Sequence, residues 1–201
     1  MLCFYRARLV VLAVPKTGTE ALEQTLGPHA DLHLGTVGQG KHMGYRDFMT
    51  KLAPQVRQSC DGPVEIWAVM REPLEWLGSW YRFRRRAGMA DPRNSTRDIS
   101  FDNFVRAFCD EERAPWANLP RQSHFIVNDT SGVGPDRVFR YADHTHFVQS
   151  LAERLGRPID LPQMNVSPSG NLDLSAEAEA QLHQTCALGF ALYAALPHAS
   201  V

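Results

Sequence analysis

Lysine is almost missing from this chain. Only Lys16, Lys41 and Lys51 stand among its 21 basic residues, the rest being arginine. A residue this scarce is informative where its setting is unusual, and Lys16 has such a setting. Cysteine is sparse too. Cys3, Cys60, Cys109 and Cys186 are scattered, with no CxxC pair and no alternation with histidine at metal-ligand spacing, which argues against a zinc site. A chain of 201 residues can bury about 70% of its unfolded surface and needs no disulfide framework. Reduced thiols and a cytoplasmic setting are therefore expected. Long apolar runs are also lacking. The longest early one, Leu9 to Val14, is too short for a signal-peptide core or a membrane span. Without a secretory signal, Asn94-Ser95-Thr96 and Asn128-Asp129-Thr130 read as chance matches to the glycosylation pattern. Finally, there is no excess of charge. The formal net charge is −1, so no overall basic field favours nucleic acid.

What remains is the composition of an ordinary globular protein, 44% hydrophobic and 21% charged, with no internal repeat and no low-complexity tract. A single domain over residues 1–201 is expected. Arg8 to Val14 (RLVVLAV) reads as a buried strand ending at Pro15, then a short turn Lys16-Thr17-Gly18-Thr19, then a helix over Glu20 to Leu26 stopped by Gly27-Pro28. A short strand at 32–34, a glycine-rich loop over 35–40 and a helix over 45–59 bent or ended near Pro54 follow. Val64 to Met70 (VEIWAVM) is a second buried strand, and Pro73 opens a helix to Arg86. Residues 90–100 read as a loop and 101–108 as a helix. Short strands are expected at 124–127 and 137–141, a helix at 143–155 closed by Gly156, and a single alanine-rich helix over 174–196. Strands alternating with helices imply an α/β fold, three-layered, with a mainly parallel central sheet.

Ligands of open α/β sheets bind beyond the carboxyl ends of the strands, where the turn after Pro15 lies. Gly18 admits close backbone approach. The helix that follows offers unpaired N–H groups with partial positive charge. Thr17 and Thr19 add hydroxyls and Lys16 a mobile full charge. Together they form a cradle suited to phosphate or sulfate, against the plainer alternative of a strand-to-helix turn with a threonine cap. The loop is not GxxxxGK[ST], because the lysine precedes the glycine and no strand ends in an obvious magnesium-holding aspartate. A metal-dependent kinase or ATPase is disfavoured on that ground. Arg71 closes the second buried strand and would emerge on the same sheet edge as Lys16 if the strands are neighbours. With Ser79 in the next helix it could hold a second phosphate. The cluster Arg82-Phe83-Arg84-Arg85-Arg86 reads first as a solvated, dipole-compatible helix end, and second as a docking surface for an anionic acceptor.

VPKTGTEAL (Val14 to Leu22) and VMREPLEWLGSWY (Val69 to Tyr81), in that order, resemble the 5′-phosphosulfate loop and the 3′-phosphate segment of the sulfotransferases that use 3′-phosphoadenosine 5′-phosphosulfate (PAPS). The closer likeness is to the carbohydrate and heparan-sulfate branch and its bacterial relatives. FRYADHTHFVQSLAERLG followed by NVS has the family's later rhythm. The resemblance implies a sheet fold related to the P-loop kinases and sulfuryl transfer from PAPS without a metal. It implies that Lys16 polarises the leaving phosphosulfate, that Thr17, Gly18 and Thr19 cradle the 5′-phosphate, and that Arg71 and Ser79 hold the 3′-phosphate. The acceptor would be a carbohydrate or small molecule, with no nucleic acid and no membrane involved. One departure is Gly189 before Phe190 and Tyr193, where relatives often carry an acid, and the long acceptor-binding insertions are mostly absent.

A hydroxyl acceptor also needs a base. His42, after the glycine-rich loop, is the first candidate, since an unperturbed histidine titrates in the right range, and relatives place a histidine in a comparable segment. Glu20, at the start of the cradle's helix, is the competitor; an acid is equally at home there for helix-dipole reasons. His33, His144, His146 and His183 have weaker context, and His144 and His146 read as residues of a helix start. The alternative to an enzyme is an inactive relative that binds the nucleotide product PAP as an interaction module. Neither the acceptor nor the oligomeric state is legible from the residues.

Overall fold

The first strand of the sheet is one that composition does not signal. Leu2–Phe4 (β1) folds back on Leu9–Val11 (β2) as a hairpin, pairing Leu2 with Val11, Cys3 with Val10 and Phe4 with Leu9. The connection Tyr5–Arg8 is closed by the Arg8 N–H donating to the Tyr5 carbonyl at 3.0 Å. Arg8 takes φ 47°, without the glycine or asparagine that usually marks such a turn. The structure is a computed structural model that describes residues 1–35, 40–88, 91–128, 131–162 and 172–198. The inner part of the glycine-rich loop at 35–40, the start of the 90–100 loop, the end of the Asn128-Asp129-Thr130 triplet and the Asn-Val-Ser run at 165–167 lie outside the described residues.

Residues Met1–Arg71, Gln122–Met164 and Ala195–Val201 make one compact unit, and Glu72–Arg121 with Asn165–Ala194 make another. The first holds the sheet. Leu32–His33 (β3), Glu65–Met70 (β4) and Arg137–Arg140 (β5) join β1 and β2 in the order β3-β1-β2-β4-β5. The β2·β4 and β4·β5 ladders are parallel, and the β1·β2 and β1·β3 ladders antiparallel. The fold is thus α/β, but the sheet is mixed rather than mainly parallel. The hairpin reverses β1 alone, and the other four strands share one direction. Alternation along the strands sends Leu2, Phe4, Leu9, Val11, Trp67, Val69 and Phe139 to one face. There they pack with Leu22 and Leu26 of Thr19–Leu26 (α1) and with Phe147 and Leu151 of His144–Leu155 (α7). The opposite face, Cys3, Val10, Ile66, Ala68 and Met70, is equally buried. Both faces are covered, as a parallel core requires.

The 45–59 segment forms two helices, Tyr45–Lys51 (α2) and Ala53–Ser59 (α3), broken at Leu52 with Pro54 in the first turn of the second. The strand expected at 124–127 is a single helical turn instead, Ser123–Ile126 (numbered α6 in chain order, after the two helices given next). Its buried residues are Ser123 and Ile126, a spacing of three, and a short apolar run does not by itself separate strand from helix. Gly44 lies against this turn: a Cβ there would sit 2.8 Å from the His124 carbonyl oxygen.

The second unit is helical among its described residues. Pro73–Arg84 (α4), Phe101–Cys109 (α5) and Ala176–Thr185 (α8) bury Trp76, Leu77, Tyr81, Phe104, Phe108 and Leu182 together. The long C-terminal helix expected at 174–196 is interrupted at Cys186 (φ −110°, ψ 24°), and Ala187–Ala195 (α9) follows. Ser175 caps α8 and also donates to Asp102 of α5. This hydroxyl, ahead of Arg106, holds the Asp102 carboxyl down at about 2.

Candidate anion site at the carboxyl ends of β2, β4 and β5

The three parallel neighbours β2, β4 and β5 end on one edge of the sheet. After them come, in turn, the Pro15–Thr19 loop, Arg71, and the Tyr141–His144 segment. Just beyond β2 the Leu12 N–H still donates to the Trp67 carbonyl at 2.9 Å. The loop then alternates in backbone hand: Lys16 has φ 67° and Gly18 φ 82°, while Pro15 and Thr17 are not in the left-handed region. Such alternation turns successive N–H groups toward one concavity, an anion-binding geometry. Gly18 is the N-cap of α1 and no side chain caps the helix. Gly18 itself has no side chain to serve as the cap acceptor that Ser, Thr, Asp or Asn supplies at most helix starts.

The predicted residues divide as follows. The Thr17 hydroxyl donates to the Val14 carbonyl at 2.8 Å and both Thr17 and Thr19 are buried. Thr17 therefore shapes the loop with its side chain and can meet an anion only through its backbone. Lys16 is half-buried, and Gly18 and Glu20 are exposed. Ser79 is buried within α4 of the second unit. The arginine cluster is part structural. Arg84 is buried, its guanidinium donating to the carbonyls of Pro115 (3.1 Å) and Asn118 (3.4 Å), and Arg85 donates to the Tyr81 hydroxyl at 2.7 Å.

Arg71 and Gly18 belong to one cluster. The Arg71 guanidinium carbon lies 3.8 Å from the centre of the Tyr141 ring. A Cβ built on Gly18 would lie 3.7 Å from Cε2 of Tyr141 and 3.2 Å from Nε2 of His144. The Tyr141 and His144 rings meet edge to face at 5.6 Å. A side chain at residue 18 would thus be strained by its φ and would crowd the imidazole.

His42 reaches the same strand exit from another direction. Its Nδ1 is 2.7 Å from the Ala13 carbonyl oxygen. A carbonyl only accepts, so Nδ1 carries the proton and Nε2 keeps its lone pair. Burial, against the pull of the Ala13 bond, holds the imidazole below its ordinary value, so it is neutral at pH 7. The preceding Lys41 is buried and paired with Glu23 of α1 at 2.7 Å. Breaking a buried pair of this kind costs more than the pair contributes to net stability, because it leaves a buried charge uncompensated.

Gln122, Tyr141 and His144 complete the cluster and are not singled out by sequence reasoning. Gln122 is buried and treats Arg71 as a strand partner would. It accepts from the Arg71 N–H at 3.0 Å and donates to the Arg71 carbonyl at 2.7 Å. Replacing Gln122 by alanine removes both of these part-buried bonds, at about 0.5–1.5 kcal/mol each. Urea denaturation should show a loss of about 1–3 kcal/mol. A midpoint within error of wild type would contradict the clamp. Compared with known proteins, the chain matches no protein-family model and no curated protein.

Proposed function

We propose that this protein is a sulfotransferase of the P-loop-related fold, moving a sulfuryl group from PAPS to a hydroxyl or amine of a carbohydrate or small-molecule acceptor. The observation that carries the reading is the joining of Arg71 to the Gly18 loop through Tyr141 and His144 within one unit. Two cationic or N–H-rich elements in one cluster suit a ligand with two phosphates. The resemblance of 14–22 and 69–81 to the two phosphate segments of that family names the ligand. Ser79 enters through its spacing from Arg71 in the sequence and through the resemblance.

In the transfer, the acceptor oxygen attacks sulfur. The new S–O bond forms as the S–O bond to the 5′-phosphate breaks, and the electron pair leaves with the nucleotide. Charge builds on the departing phosphate, where Lys16 and the α1 amides stabilise it. The sulfuryl group carries less charge than a phosphoryl group, which lessens the need for a metal clamp. The acceptor proton goes to Nε2 of His42, the nitrogen that the Ala13 carbonyl leaves free.

Incubation of the full chain with labelled PAPS and a pool of glycans and small alcohols should give labelled acceptor. PAP binding without transfer to any acceptor would instead support an inactive nucleotide-binding relative. The base has its own signature. Because burial lowers the His42 value, kcat/KM should be flat across neutral pH. It should fall only as acid protonates Nε2, with a midpoint below the usual histidine value near 6.5. His42→Ala should cost about a hundred- to ten-thousandfold and abolish that acid limb. If Glu20→Gln does this and His42→Ala does not, the base is Glu20.

A further inference from the structure

In the sequence His144 reads as a residue of a helix start, yet among the described residues, chain neighbours aside, its ring comes nearest to the Cβ position of Gly18. Nε2 lies closer to the Gly18 Cβ position, at 3.2 Å, than Cδ2 does, at 3.9 Å, so the nitrogen edge faces the loop. The ring is held from two sides, by Tyr141 and by Phe147 at 5.7 Å. These two contacts fix the position and plane of the ring beside the loop.

We propose that His144 is a further anion-binding residue of the cradle, whose Nε2 edge takes up a proton when a phosphate group enters and so adds a donor and a charge beside Arg71. The proposal rests on the anion-binding reading of the Gly18 loop. In the free protein, burial first and the Arg71 guanidinium second hold His144 below its ordinary value, so at neutral pH it is uncharged. The other titratable or charged groups on the surrounding segments include Arg140 at the end of β5, Tyr141 and Asp143 before α7, His146, Glu153 and Arg154 on α7, Lys16 on the cradle loop, and Glu20 and Glu23 on α1. A phosphate dianion in the cradle offsets the repulsion from Arg71 and favours the imidazolium. Between the free and bound midpoints binding takes up a proton, so affinity falls as pH rises through that window and is level above it. Each unit by which the ligand raises the midpoint adds about tenfold in affinity at low pH.

The test is an NMR pH titration of the His144 ring in the full chain, alone, with PAP and with inorganic phosphate. Calorimetry of PAP binding between about pH 6 and 8 accompanies it for wild type, His144→Phe and His144→Gln. The ligand's phosphates themselves titrate near pH 6, so the difference between wild type and variants is the quantity read. His144→Phe keeps the aromatic packing, and His144→Gln is the smaller replacement should a ring carbon crowd Gly18. The expected result is a midpoint raised by about one unit with either ligand, and a loss of PAP affinity across the range that is larger in wild type than in the variants by up to about tenfold. An unmoved midpoint with PAP bound, or identical pH curves in all three proteins, overturns the role of His144 and leaves the nucleotide reading intact. A midpoint raised by phosphate in a protein that binds no PAP keeps the role and overturns the nucleotide. Silence with both ligands overturns both.

Discussion

Lys16→Ala is expected to lower kcat for sulfuryl transfer by about a hundred- to thousandfold, the usual cost of removing one donor from a site where charge develops. Its thermal midpoint should stay within a few degrees of wild type. The backbone sharpens this expectation. A left-handed non-glycine residue costs about 1–2 kcal/mol, and Lys16 sits there with φ 67° although glycine would occupy the position without strain. Such an outlier points to use of the side chain. Alanine keeps the same backbone cost while removing only the amine. Lys16→Gly removes amine and strain together and should lose transfer without losing stability. Steady-state kinetics alongside thermal melts separates the two. Parallel losses of turnover and stability would mean that Lys16 is structural.

Arg71→Ala is expected to weaken PAP binding by about a hundredfold, in the range found when one member of a close charge pair is truncated. The guanidinium is pre-placed. Gln122 fixes its backbone at both polar groups and the Tyr141 face supports its plane at 3.8 Å. Little ordering then remains to be done on binding, which is why so much affinity is assigned to one side chain. Arg71→Lys keeps the charge but not the planar fork and should recover only part of the loss. The folded protein loses the ring contact as well, about 0.5–2 kcal/mol, so calorimetry should be run well below the variant's melting range.

These predictions draw on parts of the molecule that are legible in the sequence to different degrees. The strand-loop-helix at 9–26 and the strand ending at Arg71 are readable because each is a continuous apolar run punctuated by proline or glycine, a local signal. β1 is not, because three residues before a polar turn carry no period; its strand is made by the partner β2. The turn at 123–126 and the break at Cys186 fail for the same reason, being settled by what packs on them. In the site, Lys16, Gly18 and Arg71 declare themselves by residue type next to a strand end. His144 and Gln122 do not, because their roles come from contacts with Gly18 and Arg71, residues remote from them in the chain. Thr17 is the opposite case: its hydroxyl, in a phosphate-like motif, donates to the Val14 carbonyl, a contact that residue type does not announce.

The central claim is that the Gly18 loop and Arg71 grip two phosphates of one nucleotide. Calorimetric titration of wild type, Lys16→Ala and Arg71→Ala with both PAP and adenosine 5′-phosphate tests it most directly, since the two ligands differ only in the 3′-phosphate. Wild type should prefer PAP by about a hundredfold, Arg71→Ala should lose that preference, and Lys16→Ala should weaken both ligands alike. A wild-type chain that binds neither ligand, or an Arg71→Ala variant that keeps the whole preference, would contradict it.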